Sequence, residues 1–359
     1  MSSPATPKKK VLFLYYELAG YVVACLEKLA ASFPVEVHLV RYPVVQVAPF
    51  QIELSDAICL YERKDFTDES LISFIDQLQP DFVFCSGWAD KGYLKAARHL
   101  KKRVPVVLTL DNPWMGTPKQ RVAAVLGKFY LPGIFTHCWV PGEPNAIYAR
   151  KLGFKGKRLH TGMYSADTAL FSSYEEAIRT TKADKFPHRF IYFGRYTALK
   201  GIRELWSAFT GLTPDERKDW ELWCLGKGEL EQEFPDHPAV RNVGFVQPDQ
   251  LKPWLEQCGV FILPTHYEHW GVVVHEFAAA GFPLVCSTTT SAATFFLHEG
   301  KNGFFTQPQN TTSVREAMLK IINSSDDTLK KMGQASIREA QKITPLTWSQ
   351  TIWDILTEK

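Results

Sequence analysis

The sequence of 359 residues lacks long hydrophobic runs, since none reaches the roughly 18 uninterrupted apolar residues that a membrane-spanning helix needs. It also lacks any C-x-x-C pair, and its seven cysteines are scattered and odd in number. We therefore expect neither a zinc site nor a disulfide framework. Reduced thiols without a spanning segment are typical of a cytoplasmic protein, which is the localisation we expect.

Two nucleotide-binding motifs are absent as well. No G-x-G-x-x-G follows the first apolar strand or the strand at 190–193, and no G-x-x-x-x-G-K-[ST] occurs in the chain. Nicotinamide, flavin and Walker-type chemistry are therefore not expected. The net charge of +3 is small beside 41 basic and 38 acidic residues, so the composition lacks the excess of basic residues that is typical of nucleic-acid-binding proteins.

What the sequence does contain is an alternation of short apolar strands and amphipathic helices that runs once, fails, and restarts. A chain of this length exceeds one ordinary core. The alternation predicts an α/β protein with two doubly wound, Rossmann-like parallel sheets, whose strand ends line a cleft. The predicted parts are a disordered tail, an N-terminal Rossmann-like domain, an interdomain region, a C-terminal Rossmann-like domain, and a last helix that could pack back on the N-terminal domain: 1–10, 11–170, 171–187, 188–343 and 344–359.

The most informative stretch follows the apolar strand at 260–263. A polar loop leads to Gly271, and a mostly apolar helical segment follows it. Glu268 lies in the loop and Glu276 in the helix, with seven residues between them. A helix that begins at a glycine offers N–H groups and a positive dipole end to an anion. The pattern predicts an anion pocket with two carboxylates. The alternatives are that Glu268 is a solvated loop acid and that Glu276 belongs to a buried ion pair.

Basic residues mark the restart of the alternation. Arg195 and Lys200 follow the strand at 190–193 and come just before a helix, where they suit a pyrophosphate. Two solvated surface cations are the alternative. Gly226-Lys227-Gly228 follows the next strand and is compatible with a phosphate-binding loop or with an ordinary turn.

The order of these segments resembles the C-terminal half of family 4 glycosyltransferases. These are retaining, nucleotide-sugar-dependent enzymes with the two-domain GT-B fold. The resemblance covers residues 190–323, and the N-terminal half is similar to the family only in layout and at HTGMYSAD, residues 160–167. The segments that carry it, in chain order, are FGRYTALKGI, LGKGEL, NVGFVQPDQL, HYEHWGVVVHEFAAAGFPLV and EGKNGFF.

The resemblance implies roles for the charged residues. Arg195 and Lys200 would hold the donor diphosphate and stabilise the leaving group. Glu268 would act beside the transferred sugar, and Glu276 would accept hydrogen bonds from the ribose hydroxyls. The donor would be a nucleoside diphosphate sugar, with UDP preferred to GDP, and the transferred sugar a hexose.

The resemblance also implies backbone and apolar contacts to the donor. Gly271, Val272 and Val273 would offer amides to the sugar and phosphate, while Val246 and Leu251 would lie along the base. It implies no cofactor and no protein-bound metal, since the cations and the helix end can neutralise the diphosphate.

The chain departs from the family pattern at three places. His269-Trp270 replaces a small residue and an aromatic one between Glu268 and Gly271, which bears on sugar choice. The glycine pair after the first strand is reduced to Gly20, which would remain for close approach to the donor. The histidine after the fifth strand is absent from TLDNPW, where Asp111 or Asn112 stands; Asp111 is the candidate to orient the sugar or assist a proton.

The acceptor is expected to be a glycan or a lipid-linked molecule. Trp88, Asp90 and Lys91, at a strand end, are acceptor-side candidates. Residues 114–135 mix apolar and basic side chains, which is compatible with contact to a membrane surface or a lipid-linked acceptor, or with a partly buried helix that has a basic edge. Two further functions stay open: a non-catalytic nucleotide-sugar binder, which the missing histidine suggests, and a sugar-nucleotide epimerase.

Overall fold

The computed structural model describes residues 7–16, 18–43 and 54–358. They form two compact units: Met1–Asp167 together with Ile343–Lys359, and Thr168–Lys342. Among the described residues, no helix is both long enough and apolar enough to cross a bilayer.

The first unit is built on a seven-stranded parallel sheet. Its strands are β1 (Lys9–Tyr15), β2 (Val35–Arg41), β3 (Ile58–Glu62), β4 (Phe82–Ser86), β5 (Val106–Thr109), β6 (His137–Trp139) and β7 (Leu159–His160). Its first five helices are α1 (Gly20–Ser32), α2 (Asp68–Leu78), α3 (Lys91–Leu100), α4 (Pro118–Tyr130) and α5 (Glu143–Lys151). The strand order is β3-β2-β1-β4-β5-β6-β7. Because the chain moves outward in one direction from β1 and in the other from β4, a crevice opens at the carboxyl ends of these two strands.

The central strand β1 is buried on both faces, which explains its continuous apolar run. Val11 and Phe13 pack in one hydrophobic cluster, and Leu12 and Leu14 pack in the other. Helices cover both faces of a parallel sheet, so such strands do not alternate with polar residues.

Strand β1 begins earlier than the sequence pattern predicts. Lys9 and Lys10 were assigned to a disordered tail, but they pair with Val35 and Glu36 of β2. The Asp81 carboxylate accepts from Lys9 Nζ at 2.8 Å and from the Lys10 backbone amide at 2.9 Å, while Lys10 Nζ donates to the Leu78 carbonyl at 3.2 Å. Residues 1–6 of the predicted tail lie outside the described residues.

The second unit repeats the doubly wound design with six parallel strands. They are β8 (Arg189–Phe193), β9 (Glu221–Leu225), β10 (Val240–Gly244), β11 (Val260–Leu263), β12 (Leu284–Ser287) and β13 (Gly303–Thr306). The helices are α6 (Thr168–Asp184), α7 (Ile202–Thr210), α8 (Pro214–Arg217), α9 (Lys252–Leu255), α10 (Val272–Ala279), α11 (Ala293–Phe296), α12 (Thr311–Ile322) and α13 (Asp326–Ala340). The order β10-β9-β8-β11-β12-β13 places the switch point between β8 and β11.

Helix α6 occupies most of the segment predicted to lie between the domains, and it belongs to the second unit. Phe171, Tyr174 and Ile178 are buried at helical spacing. The Tyr174 hydroxyl donates toward the Asp249 carbonyl at 3.0 Å. This apolar stripe is narrow and diluted by charged residues, which is why the segment reads as polar in sequence.

The last helix, α14 (Pro345–Thr357), packs on α1 within the first unit. Trp348 is buried against Trp139 and Phe13, and its indole N–H donates to the Met163 carbonyl at 2.8 Å. The chain therefore returns to its first unit after completing the second.

Candidate functional site

The loops that follow β8 and β11 meet at the switch point of the second sheet. The two strands pair in parallel, so their carboxyl ends lie at the same edge of the sheet. Arg195 and Lys200 follow β8, while Glu268 and Gly271 follow β11. The topology thus brings together the residues that the sequence pattern singled out, at the place where doubly wound sheets bind ligands.

Backbone contacts fix these two loops against each other. A short 3₁₀ turn, Ala198–Lys200, ends at Gly201, whose φ is +66°. A Cβ at Gly201 would lie 2.0 Å from the carbonyl oxygen of Pro264, so only glycine permits this approach. The Leu199 carbonyl then accepts from the Thr265 hydroxyl at 2.7 Å and from the His266 amide at 2.9 Å. These contacts fix the backbone of the turn that carries Lys200.

Lys200 and Glu268 form an ion pair across the two loops. Each side chain is only 19% exposed, so the pair is partly shielded from water. The backbone of Glu268 is fixed in two ways: its N–H donates a hydrogen bond to the Thr289 carbonyl at 3.2 Å, and it forms an isolated parallel β-bridge with Thr290. The site therefore presents one cation and one hydrogen-bond-accepting carboxylate in fixed positions.

Helix α10 begins directly behind this pair. Its N-cap is Gly271, with a φ of +89°, and Val272 and Val273 are its first residues. A Cβ at Gly271 would lie 2.9 Å from Cγ of Glu268 and 3.1 Å from Cγ2 of Thr290. The first N–H groups of a helix have no intrahelical partner and lie at its positive end. An anion beside Glu268 would therefore meet both the Lys200 ammonium and these amides.

A second pair of glycines joins the loops after β8 and β9. A Cβ at Gly226 would lie 1.9 Å from the Gly194 oxygen, and one at Gly228 would lie 2.3 Å from the Tyr196 oxygen. The Lys227 carbonyl accepts from the Tyr196 amide at 2.9 Å. Lys227 itself is exposed, on a loop bonded to the one that carries Arg195. The G-K-G pattern was the only sequence signal for this third cation.

Arg195 is exposed, and its guanidinium forms no ion pair with an acidic side chain among the described residues. Its backbone is ordered, because its carbonyl accepts from the Tyr192 hydroxyl at 2.8 Å. Burial raises the pKa of the Tyr192 hydroxyl well above its ordinary value, so this donor keeps its proton. The loop thus offers Arg195 as a cation that is not already neutralised by an acid in the described part of the chain.

The remaining predicted donor contacts lie on the same unit. Glu276 is half-buried on α10, eight residues after Glu268 in the chain and just over one turn into the helix. Val246 is 8% exposed and comes two residues after the end of β10 at Gly244. Leu251, predicted to lie along the base, is instead fully buried, and the residue has no exposed surface.

The histidines near the site have structural partners. His266 bonds to Glu204 at 2.8 Å, and His275 is buried, stacked on Phe296 and bonded to the Ala340 carbonyl. Among the described residues, the one group of three metal-ligating side chains whose ligand atoms lie within 4.8 Å of one another is elsewhere, on β2 and β3 of the first unit: Glu36, His38 and Cys59.

The first unit has a cavity of about 280 Å³ at the switch point of its own sheet. Asp111 lies in this cavity directly after β5, and the Tyr164 hydroxyl lies 3.4 Å from its carboxylate. Asn145 donates to the Asp111 carbonyl and orders the loop. The cavity is lined by residues that follow β1, β4 and β5, together with Met163 and Tyr164: Tyr16, Ser86, Gly87, Trp88, Ala89, Thr109, Leu110, Asp111 and Asn112.

The phenols of this cavity are protonated hydrogen-bond donors. Burial, with a contribution from Asp90, raises the pKa of Tyr16 to about 12. Burial also raises the pKa of Tyr164 well above its ordinary value, and nearby Tyr21, Tyr15 and Asp111 add to the effect. Asp111 is thus the acidic group lining a cavity whose other polar side chains are neutral.

The other acceptor-side candidates are distributed differently. Trp88 lines the cavity, whereas Asp90 is buried and accepts from Tyr42 and from the Tyr93 amide at 2.7 Å. Asp90 therefore caps helix α3, while Lys91 is exposed as its first residue. Gly20, the first residue of α1, is exposed, and a Cβ there would meet nothing within 4 Å.

Comparison with known proteins adds three findings. Residues 187–324 match the family model described as "Glycosyl transferases group 1". An uncharacterised glycosyltransferase of Methanocaldococcus jannaschii is 28% identical over 179 residues, which are 47% of this chain and 45% of that protein. The chain thus spans less than half the length of the curated relatives it matches.

Solved structures match over nearly the whole chain. HepE of Anabaena, in complex with UDP and glucose, has a TM-score of 0.69 at 16% identity and covers 98% of this chain and 100% of its own. Sucrose-phosphate synthase of Thermosynechococcus elongatus has a TM-score of 0.70 at 16% identity, covering 97% and 98%. At such identities the likeness shows the fold alone. That fold, two doubly wound parallel sheets of the GT-B class, confirms the prediction.

Proposed function

We propose that this protein is a retaining hexosyltransferase, a proposal supported by the match of residues 187–324 to the glycosyl transferases group 1 family model. It moves a hexose from a nucleoside diphosphate to a glycan or lipid-linked acceptor. The observation that carries the proposal is the Lys200–Glu268 ion pair directly in front of the α10 N-terminus. This arrangement supplies a cation and amides for a diphosphate, and a carboxylate for sugar hydroxyls, within one small volume.

The diphosphate is bound by charge. Lys200, Arg195 and the first amides of α10 neutralise the two phosphates, and the exposed Lys227 is available to help. When the diphosphate binds, Lys200 is drawn from Glu268 toward the phosphate, and the Glu268 carboxylate becomes available to the sugar. Glu276 takes the ribose hydroxyls, while Val246 contacts the base. UDP is the preferred nucleotide, a choice supported by the UDP complex of HepE, and GDP is the second candidate.

In the reaction, the bond between the anomeric carbon and the diphosphate oxygen breaks, and the electron pair leaves with the diphosphate. The acceptor oxygen bonds to the same face of the sugar, and its proton passes to the departing diphosphate. The protein contributes alignment and stabilisation of the charge that develops on the leaving group. The cations and the positive end of α10 offset this negative charge. We therefore propose that the reaction needs no protein-bound metal, which a chelator control tests.

The acceptor side is assigned to the cavity of the first unit, with Asp111 as its functional acid. An aspartate can accept a hydrogen bond from a sugar or acceptor hydroxyl, as the resemblance implies for this position. Asp111→Asn is expected to leave donor binding intact and to lower transfer. Tyr164→Phe, which removes only the neighbouring hydroxyl, is the matched control and is expected to have the smaller effect.

Donor turnover separates this proposal from its rivals. The purified protein is incubated with UDP- and GDP-hexoses, with and without glycan and polyprenyl-phosphate acceptors, and products are followed by mass spectrometry. Release of nucleoside diphosphate that depends on Glu268 and Lys200 supports transfer. Binding without turnover, unchanged in Glu268→Ala, would indicate a nucleotide-sugar binder. A changed sugar nucleotide without any acceptor would indicate an epimerase. The proposed location is the cytoplasm, with the donor as a soluble substrate and no nucleic-acid partner.

A further inference from the structure

Helix α4 turns its large apolar side chains to solvent. Val122, Val125, Leu126 and Phe129 recur at positions i, i+3, i+4 and i+7 and are between 59% and 80% exposed. With the half-exposed Tyr130 they form one continuous stripe, here called the α4 stripe. Regular helical spacing normally marks the face that packs on the core. In α4 the same spacing marks the outer face.

The inward side of α4 is made of small residues. Gly127 is buried, and a Cβ there would lie 2.7 Å from Cδ2 of Leu152 and 3.3 Å from Cδ1 of Leu131. Ala124 packs beside it against the core cluster of the first unit. The helix therefore cannot rotate to bury its stripe without losing this close approach. Each large apolar side chain left in water forgoes the favourable free energy of burial, which a partner surface would recover.

The exposed apolar surface is concentrated, not scattered. Of the ten large hydrophobic residues exposed in the described part of the chain, six fall between Met115 and Tyr130. Single exposed apolar residues need no explanation, but a contiguous patch marks an interaction surface.

The surroundings of the stripe are strongly basic. Residues 91–160 contain fourteen lysines and arginines and only two acids, Asp111 and Glu143, so this segment has a net charge of +12 while the whole chain has +3. Lys119, Arg121 and Lys128 are exposed on α4 itself. Arg98 reaches the stripe from α3 by donating to the Tyr130 hydroxyl at 3.0 Å.

We infer that the α4 stripe docks on the surface of an anionic lipid bilayer. An apolar helix face edged by cations lies in the interface plane, with its apolar side chains among the acyl chains and its cations at the phosphates. A second copy packed through the same stripe would bring together the exposed Lys119, Arg121 and Lys128 of both copies, which charge repulsion opposes. The partner that complements both the apolar stripe and its basic edge is a negatively charged lipid surface.

The placement of α4 gives the docking a consequence for the first unit. Residues 111–117 run directly from the cavity that contains Asp111 to the N-cap of α4 at Thr117. When α4 is docked, only the seven residues 111–117 separate the cavity from the helix that lies on the bilayer. Acceptors that reside in the lipid would meet the cavity there. The inference itself does not rest on the proposed transfer, because docking is measured without donor or acceptor.

Vesicle flotation tests the inference with the full-length protein. Vesicles of phosphatidylcholine alone and of phosphatidylcholine with phosphatidylglycerol are compared at low salt and at about 1 M salt, where the Debye length is about 3 Å. The wild-type protein should float with the anionic vesicles and much less with the neutral ones, and high salt should weaken the binding. The variant Val125→Ser/Leu126→Ser/Phe129→Ser should bind anionic vesicles at least about tenfold more weakly.

A matched control separates a specific stripe from general stickiness. Leu346 is a leucine of α14 in the same unit, 47% exposed. Leu346→Ser should float as the wild type does. All variants change only exposed residues, so their melting temperatures should equal or exceed that of the wild type. Failure of the wild type to bind anionic vesicles, equal loss in Leu346→Ser, or a stripe-dependent dimer in sedimentation without vesicle binding would each overturn the inference.

Discussion

Lys200 and Glu268 are 68 residues apart in the chain, yet their side chains form an ion pair between the loops that follow β8 and β11. The contact depends on Gly201, which lets the turn before α7 approach the Pro264 carbonyl. A partly shielded pair of this kind is worth little to stability, because desolvation offsets much of the attraction. Its position in front of α10 is better explained by ligand binding.

Replacement of Lys200 is therefore expected to affect turnover far more than folding. Lys200→Ala should lower kcat/KM for the nucleotide sugar by about 100-fold, since one charge-assisted contact to the leaving group is lost. The melting temperature should change little. Lys320, whose pair with Glu299 is exposed in the same unit, provides the control Lys320→Ala, with unchanged kinetics. Equal kinetic losses in the two variants would contradict the assigned role.

Gly271 is expected to be needed both for its positive φ and for the space it leaves beside Glu268. Gly271→Ala places a Cβ at a φ of +89° and 2.9 Å from Glu268 Cγ. Gly300→Ala provides the control, because Gly300 has a φ of +73° with nothing within 4 Å of an added Cβ. Both variants should lose about 1 kcal/mol of unfolding free energy. Only Gly271→Ala should also lose turnover, and retention of full activity by it would show that the α10 N-terminus is not at the donor.

Glu339 makes the stability of the second unit depend on pH. Burial by itself raises the pKa of this carboxyl, but hydrogen bonds from Lys342, His298 and Lys301 outweigh it and hold the pKa at about 2. A carboxyl with a depressed folded-state pKa stabilises fully above its unfolded pKa of 4.5. That contribution is lost as the pH falls from there toward about 2.

Urea unfolding at a series of pH values checks this. Glu339→Gln should be less stable than the wild type near neutral pH, by up to about 3 kcal/mol, and the difference should shrink below pH 4.5. Glu316→Gln, at an exposed glutamate of α12, should keep the wild-type pH dependence. A Glu339→Gln difference that stays constant down to acid pH would refute the assignment.

Trp348 tests the return of the chain to its first unit. Trp348→Ala removes a buried ring packed on Trp139 and leaves the Met163 carbonyl unpaired. It should cost about 3–5 kcal/mol of unfolding free energy. Trp353, stacked on Phe33 but only partly buried, is the matched control and should cost clearly less on replacement by alanine. The measurement is chemical unfolding followed by tryptophan fluorescence and far-UV circular dichroism.

The sequence predicts the fold class and most strands because parallel strands buried on both faces appear as short apolar runs, as in Val260–Leu263. Helix starts also follow local chemistry: Thr67 caps α2, and its side chain accepts from the Ser70 amide. Local patterns are less informative where burial is narrow. Helix α6 carries few apolar residues, and the two lysines of β1 are held by Asp81, a partner distant in sequence.

The candidate site was predicted in its parts but not in its arrangement. The spacing of Glu268, Gly271 and Glu276 is a local signal, whereas the pairing of Lys200 with Glu268 follows from sheet topology and from Gly201. The outward orientation of the α4 stripe was one of two open interpretations, because periodicity gives the spacing of a face and not its direction. Only the buried Gly127 settles which side of α4 packs inward.

The central claim is tested most directly by thermal denaturation with nucleotides and their sugars. A ligand that binds only the folded state raises the melting temperature, by an amount that grows with the logarithm of its concentration divided by its Kd. UDP and UDP-hexoses should raise it, GDP less, and Lys200→Ala should abolish the shift while leaving the melting temperature of the free protein unchanged. If neither UDP, GDP nor any of their sugars shifts the wild-type protein, it is not a nucleotide-sugar-dependent transferase.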